Sequence, residues 1–225
     1  MGEGNPDDIY DVPAAEFDRQ LATIASFGAT PVTLDELFDG RRGGGRLPER
    51  SVVLTFDDGR ACQHRVAMPL LVAHHMVAES FVVAGRIGED DAHRYIERDD
   101  FGEHPFLIFP EVAQMVNSGA FRIESHSLTH RRHTDLSSQE RGVELTESRR
   151  VLRERVGAPV NFFAYPYGGF DSAYRDEVER AGYRGALTVG KGPGSRFAML
   201  RISVRRDSGE AVAKGLSRAF GPTLR

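Results

Sequence analysis

The sequence predicts an α/β fold built on parallel strands, and three observations carry that prediction. Short apolar, β-branched runs alternate with segments of helical periodicity. Capping pairs and stop glycines punctuate the alternation. Polar clusters fall directly after several of the runs, where parallel α/β sheets place their active groups. Six or seven such units could close as a (β/α) barrel or stay open as a doubly wound sheet.

The elements follow in order. Pro13 to Phe27 reads as a helix: Pro13 suits a first turn, Phe17, Leu21 and Ile24 recur at helical spacing, and Gly28 stops it. Thr30-Pro31-Val32 is a short extended piece, and Thr33 with Glu36 forms a capping box for a helix to Phe38. Ser51 to Phe56 is a strand of the kind buried on both faces. A helix over 67–77 and a strand over 80–84 come next, then a long polar insertion from Gly85 to Pro110. Pro110 begins a helix ending near Gly119, and Phe121 to Ser125 is a strand. Ser137 and Glu140 box a helix to about Val156, and Val160 to Ala164 is a strand. Asp171 caps a helix to Ala181, and the last strands are Gly185–Val189 and Leu200–Val204. Arg41 to Arg46, rich in glycine, reads as a surface loop and not as a phosphate cradle, since no strand-to-helix P-loop surrounds it.

Composition narrows the function. The chain has 225 residues, 40% hydrophobic and 28% charged, enough for a sizeable core in one domain. Lys plus Arg at 29 against Asp plus Glu at 33 leaves a net charge of −4, which argues against a nucleic-acid partner. Cys62 is the one cysteine, so neither an internal disulfide nor a cysteine zinc module can form. No run reaches the roughly 18 apolar residues of a membrane span. Met1 to Asp11 is acidic and unlike a signal peptide. The expectation is a cytoplasmic protein if Met1 is the native start, and otherwise an exported one whose signal segment is missing from this chain.

Three clusters carry chemistry. Asp57 and Asp58, in Thr55-Phe56-Asp57-Asp58-Gly59, put two carboxylates at a strand end, where charge needs a partner or a cation; an Asp-Gly surface turn is the plain alternative. His126 and His130, in His126-Ser127-Leu128-Thr129-His130, are four apart after another strand and can present both rings to one point. One Asp and two His leave open positions for water, the pattern of a catalytic zinc site. Tyr165-Pro166-Tyr167-Gly168-Gly169 reads as a rigid aromatic turn with outward N–H groups, or simply as a packed turn.

In this order the clusters resemble the polysaccharide deacetylase family with the NodB-homology domain, a carbohydrate esterase family. Thr55 to Gly59 matches its T-F-D-D-G motif, and His126 to His130 its H-[ST]-x-x-H motif. Pro166-Tyr167-Gly168 matches the end of R-x-P-Y-G. The form Ala164-Tyr165-Pro166-Tyr167-Gly168 resembles the poly-N-acetylglucosamine deacetylase-like subgroup. The likeness covers roughly residues 10–205 of a single domain. It implies a distorted (β/α) barrel of about seven parallel strands. It implies one divalent metal ion, most simply zinc, on Asp58, His126 and His130, with Asp57 as general base and the Tyr167 N–H as oxyanion donor. Pro166 and Tyr165 would line the substrate. The implied activity is hydrolysis of N-acetyl groups on N-acetylated sugars or polysaccharide. A small N-acyl or cyclic amide substrate, or a catalytically impaired carbohydrate-binding homologue, are the alternatives.

The departures are specific. Ala164 stands where the arginine that orients the base often stands, and Arg201 is the candidate substitute at the site. The family's general acid is a late histidine, or in the related subgroup one in an early Tyr-His motif. No histidine follows His133 and no Tyr-His precedes Asp11. Tryptophan is absent, so the usual fourth motif has no counterpart.

Overall fold

The computed structural model describes residues 11–41, 43, 45–100, 102–190, 194–206 and 209–221. Residues 1–10, and Arg42 and Gly44 of the glycine loop, lie outside the described residues. The chain runs α1 (Ala14–Ser26), β1 (Thr30–Pro31), α2 (Leu34–Arg41), β2 (Ser51–Val52), β3 (Leu54–Phe56), α3 (Met68–Ala73) and β4 (Ala78–Val82). A hairpin β5 (Ile96–Asp99) and β6 (Gly102–Pro105) precedes α4 (Phe109–Asn117) and β7 (Phe121–Ser125). Then come α5 (Ser138–Val156), β8 (Phe162–Ala164), α6 (Ser172–Arg180), β9 (Gly185–Thr188), β10 (Met199–Leu200) and α7 (Gly209–Phe220).

Six strands form one sheet in the order β10-β9-β8-β7-β4-β3, every neighbour parallel. β1 and β2 make a separate parallel pair, and β5 and β6 an antiparallel one. Parallel neighbours need crossovers, and the capped helices provide them. The Thr33–Glu36 and Ser137–Glu140 boxes form as the sequence predicts, and the Asp171 carboxylate accepts the Tyr174 N–H at 2.7 Å.

The core is split by the period of two along each strand. Phe81, Phe162, Ala164 and Leu187 point to one side, where Leu34 and Phe38 of α2 meet them. Their neighbours Val82, Phe163 and Ala186 point to the other side, among the packing helices. A short helix that touches β4, β8 and β9 at once requires the sheet to curl around it, so α2 is a plug. Gly185 makes the plug fit, because a Cβ there would stand 2.6 Å from the tip of the Phe38 ring. The fold is a curled half-barrel of the (β/α) kind expected.

Four expectations change. The strand predicted over Ser51–Phe56, expected to be buried on both faces, is two short strands, β2 and β3, in different sheets and only half-buried. The strand predicted over Leu200–Val204 is only Met199–Leu200, and the chain beyond is extended with Ile202 and Val204 exposed. The helix predicted over 67–77 begins earlier, in a π turn at Gln63–Ala67, and ends at Ala73. The polar insertion holds the β5–β6 hairpin, whose Glu97 and Arg98 alternate with little apolar content and gave no strand signal.

Candidate active site

The three clusters meet at the C-terminal ends of β3, β7 and β8. One ligand-capable atom each from Asp58, His126 and His130 lies within 4.8 Å of the others. His126 Nε2 stands 3.7 Å, and His130 Nε2 3.4 Å, from Asp58 Oδ1. The His126 Nδ1–H donates to the Ala164 carbonyl at 2.8 Å. A carbonyl only accepts, so Nδ1 carries a proton and Nε2 is the ring nitrogen that faces the cluster. Burial, reinforced by His126, holds His130 down to about 4, so its ring is neutral at physiological pH. One carboxylate oxygen and two imidazole nitrogens suit a zinc-type cation and leave coordination positions open. The donor set therefore fits the metal that the motifs imply.

Backbone strain fixes this geometry. Among the described residues, four of the five non-glycine residues at positive φ are Asp58 (71°), Ser127 (70°), His130 (64°) and Tyr167 (59°), all in these loops. Such conformations persist only where the surroundings over-determine them. Glu144 of α5 supplies part of that restraint. Its buried carboxylate accepts the Leu128 and Thr129 N–H groups at 2.9 and 2.8 Å and the Thr129 hydroxyl at 2.5 Å. Ser127 Oγ accepts the His130 N–H at 3.0 Å. At the third loop a Cβ on Gly168 would collide with Val189 at 2.5 Å.

Asp57 is held apart from the three. Arg201 donates from both terminal nitrogens to the two Asp57 oxygens, each at 2.7 Å. Burial pushes the Asp57 carboxyl up, but the charges of Arg201 and His126 and the Arg201 hydrogen bonds together hold it below its ordinary value. The Arg201 contact crosses the seam between β10 and β3, the two ends of the sheet order. Arg201 thus sits against the acid itself, its side chain 11% exposed.

The remaining predicted residues divide. Tyr167 is 53% exposed, its ring 4.7 Å from that of His130 with the Arg132 guanidinium 4.0 Å over it. Pro166 is buried beneath it. Tyr165 is a correction: its side chain is fully buried, its ring stacks on Phe170 at 4.9 Å, and its hydroxyl donates to the Phe197 carbonyl at 3.0 Å. It is a core residue with no face for a substrate. The His133 ring is stacked on Tyr174 at 5.9 Å and lies against Gly169, where a Cβ would meet its Nδ1 at 2.9 Å.

Sequence reasoning missed four groups. Glu144 was legible in principle, since it shares a helix face with Leu145, Ser148 and Leu152. Arg60, Arg86 and Glu97 form an ion-pair chain beside Asp58, with Arg60 Nε 3.8 Å from its carboxylate and Arg86 3.1 Å from Glu97. Glu97 arrives on the hairpin, so no local signal marks that chain.

Comparisons with known proteins bear on the family and the fold. The family model for polysaccharide deacetylase matches residues 44–186. The chain is 25% identical over 186 residues to the poly-beta-1,6-N-acetyl-D-glucosamine N-deacetylase of Staphylococcus aureus, covering 78% of this chain and 60% of that protein. It superposes on the structure of IcaB from Ammonifex degensii with a TM-score of 0.77 and 26% identity, over 94% of this chain and 92% of that one. The deacetylase PplD of Streptococcus pyogenes, solved with acetate, aligns at a TM-score of 0.79 and 19% identity over 91% and 87% of the two chains, a likeness of fold. The chain spans 65% and 60% of the length of two curated relatives that it matches. Among the described residues, no helix is long and apolar enough to cross a membrane.

Proposed function

The chain belongs to the polysaccharide deacetylase family, and from that premise we propose that it is a metal-dependent hydrolase removing N-acetyl groups from N-acetylated glycans. A polymer of N-acetylglucosamine is the substrate class that the Staphylococcus aureus relative suggests. The observation that carries the reading is the pairing of two sites. Asp58, His126 and His130 converge within 4.8 Å, and beside them Asp57 is oriented by a two-armed Arg201 contact.

Asp58, His126 and His130 would hold one divalent cation, zinc by the donor set. Such a cation, when bound, supplies Lewis-acid chemistry that acidifies water and polarises a carbonyl oxygen. Asp57 stays ionised at neutral pH and takes the proton from the attacking water at a carboxylate oxygen. Arg201 fixes which way that oxygen points. The Tyr167 N–H, set by its positive φ, donates to the oxygen on which negative charge develops. Pro166 keeps the Tyr167 turn rigid from below.

The test is zinc content together with acetate release from an acetylated chito-oligosaccharide. About one zinc per chain, and acetate release that stops on zinc removal and returns on readdition, are the expected results. Acetate release indifferent to zinc removal overturns the reading. Turnover of an amide against an activated ester on the same preparation then shows whether this chain carries a donor for the leaving nitrogen. Amide turnover about 10²-fold below a complete homologue, with ester turnover less affected, is the outcome expected if it does not.

A further inference from the structure

We propose that Gln63 is a positioning residue for the base: it fixes the main chain of Asp57 while Arg201 fixes the carboxylate. This rests on the reading of Asp57 as the base. Gln63 is buried at 3% exposure, and both ends of its amide are committed. Its Nε2 donates to the Asp57 carbonyl at 2.7 Å. Its Oε1 accepts the Ser80 hydroxyl from β4 at 2.5 Å. The assignment of the amide is forced, because a main-chain carbonyl must face the NH₂ end.

The placement of this side chain is unusual in origin. Gln63 opens the π turn Gln63–Ala67, whose wide hydrogen bond runs from the Met68 N–H to the Gln63 carbonyl. One residue more than an α turn holds shifts the helical phase by about 100°. The helix keeps Leu71 in the core while its leading residue points back under the first motif. Turns of this type gather at functional sites.

What Gln63 grips is the most strained point of the motif. The Asp57 carbonyl also takes the Gly59 N–H at 3.0 Å, closing a tight turn around Asp58 at a φ of 71°. Left with that one bond, the turn could relax toward an ordinary φ and carry Asp57 away from the reacting water. Arg201 alone does not prevent this, because a guanidinium on a side chain can follow the carboxylate. The amide bridge to Ser80 ties the turn to β4, the neighbouring strand in the sheet. A displacement of about 1 Å in a catalytic group can cost 10²-fold in rate.

The experiment uses the full chain with zinc bound. Gln63→Leu keeps the bulk and removes the donor; Gln63→Glu, ionised, presents an acceptor to an acceptor; Ser80→Ala frees the far end of the amide. We expect Gln63→Leu and Gln63→Glu to lower kcat about 10–100-fold on an acetylated chito-oligosaccharide, with KM and zinc affinity by chelator competition within about three-fold of the parent. Ser80→Ala should lower kcat by less. Combined with Arg201→Lys, the Gln63→Leu loss should be less than additive, since both changes act through one carboxylate. An unchanged kcat in the glutamine variants overturns the proposal. So does a fall matched by lost zinc or a lost folded fraction, which is what a merely structural role gives; Ser80→Ala repeats the test if the glutamine variants do not fold. Asp57→Asn run alongside separates the two readings. If it keeps full turnover, the base assignment fails; if it is inactive while Gln63→Leu is not, only the positioning role fails.

Discussion

Carboxylates at two places in the barrel differ in what surrounds them. At the open rim Asp57 faces the Arg201 guanidinium and two imidazoles. Near the α2 plug, Glu79 and Glu124 are 1% and 3% exposed and receive only main-chain N–H groups. Glu79 accepts from Leu34 at 2.6 Å; Glu124 accepts from Asn161 and Phe162, both at 2.7 Å. Burial opposes ionisation in both places. At the rim cationic partners outweigh it and the acid is held low. At the plug they do not: burial pushes Glu79 up to about 7, and burial with the charge of Glu79 pushes Glu124 well above its ordinary value. The same functional group is thus held ionised at one end and pushed toward its protonated form at the other, by its surroundings.

The sharpest way to break this contrast is at the rim. Asp57→Asn should keep zinc and lose about 10²–10⁴-fold in turnover, whereas Asp58→Asn should lose zinc as well. Metal content per chain and acetate release on both variants check it; equal zinc loss in the two would erase the division between them. Removing the cation partner comes next. Arg201→Ala lets burial act unopposed by that guanidinium, so the Asp57 carboxyl rises and the acid limb of kcat/KM moves to higher pH. Turnover at neutral pH should fall about 10–100-fold, measured as a full pH–rate profile.

The plug end answers through stability. Glu79 is raised in the folded state, so the native chain binds more protons than the unfolded chain between its ordinary value and about 7. Stability should therefore fall as pH rises through that window and level off above it. Thermal midpoints between pH 5 and pH 8 should drop by about 5 °C, and Glu79→Gln, which keeps an oxygen for the Leu34 N–H, should flatten the curve. A parent midpoint that rises over the same range would refute the assignment. The smallest effect tests strain. His75, exposed past the end of α3 at a φ of 53°, is the one strained non-glycine residue outside the site among those described. His75→Gly should stabilise by about 0.5–1 kcal/mol with turnover unchanged, read from denaturant midpoints.

Much of this was legible in the sequence, for a physical reason. Short-range signals mark what they touch: the capping pairs set helix starts, and apolar runs set strands that end at Asp57, His126 and Tyr165. The candidate ligand set was readable because Asp58 and His126 sit two and one residues past such runs, and His130 follows His126 at a spacing of four. What failed to show has long-range causes. The apolar residues Ile202 and Val204, which suggested a longer last strand, lie exposed beyond β10 instead of pairing in the sheet. Tyr165 carries the chemistry of a sugar platform, and only the three-dimensional packing of Phe170 and Phe197 buries it. Gln63 depends on a π turn that no composition announces, and Glu97 on a hairpin without an apolar face.

The contact across the seam has a consequence in time as well as in space. Arg201 and Asp57 are 144 residues apart in the chain, and closing a loop of that length is entropically the slowest kind of pairing to reward. The three candidate ligands, in contrast, lie between residues 58 and 130 and can assemble while the chain is still emerging. A nascent or truncated chain that stops short of Met199 would therefore gather its donor set and still leave the neighbouring acid unaimed. On the proposed reading the acid is aimed last, by the segment that completes the circle.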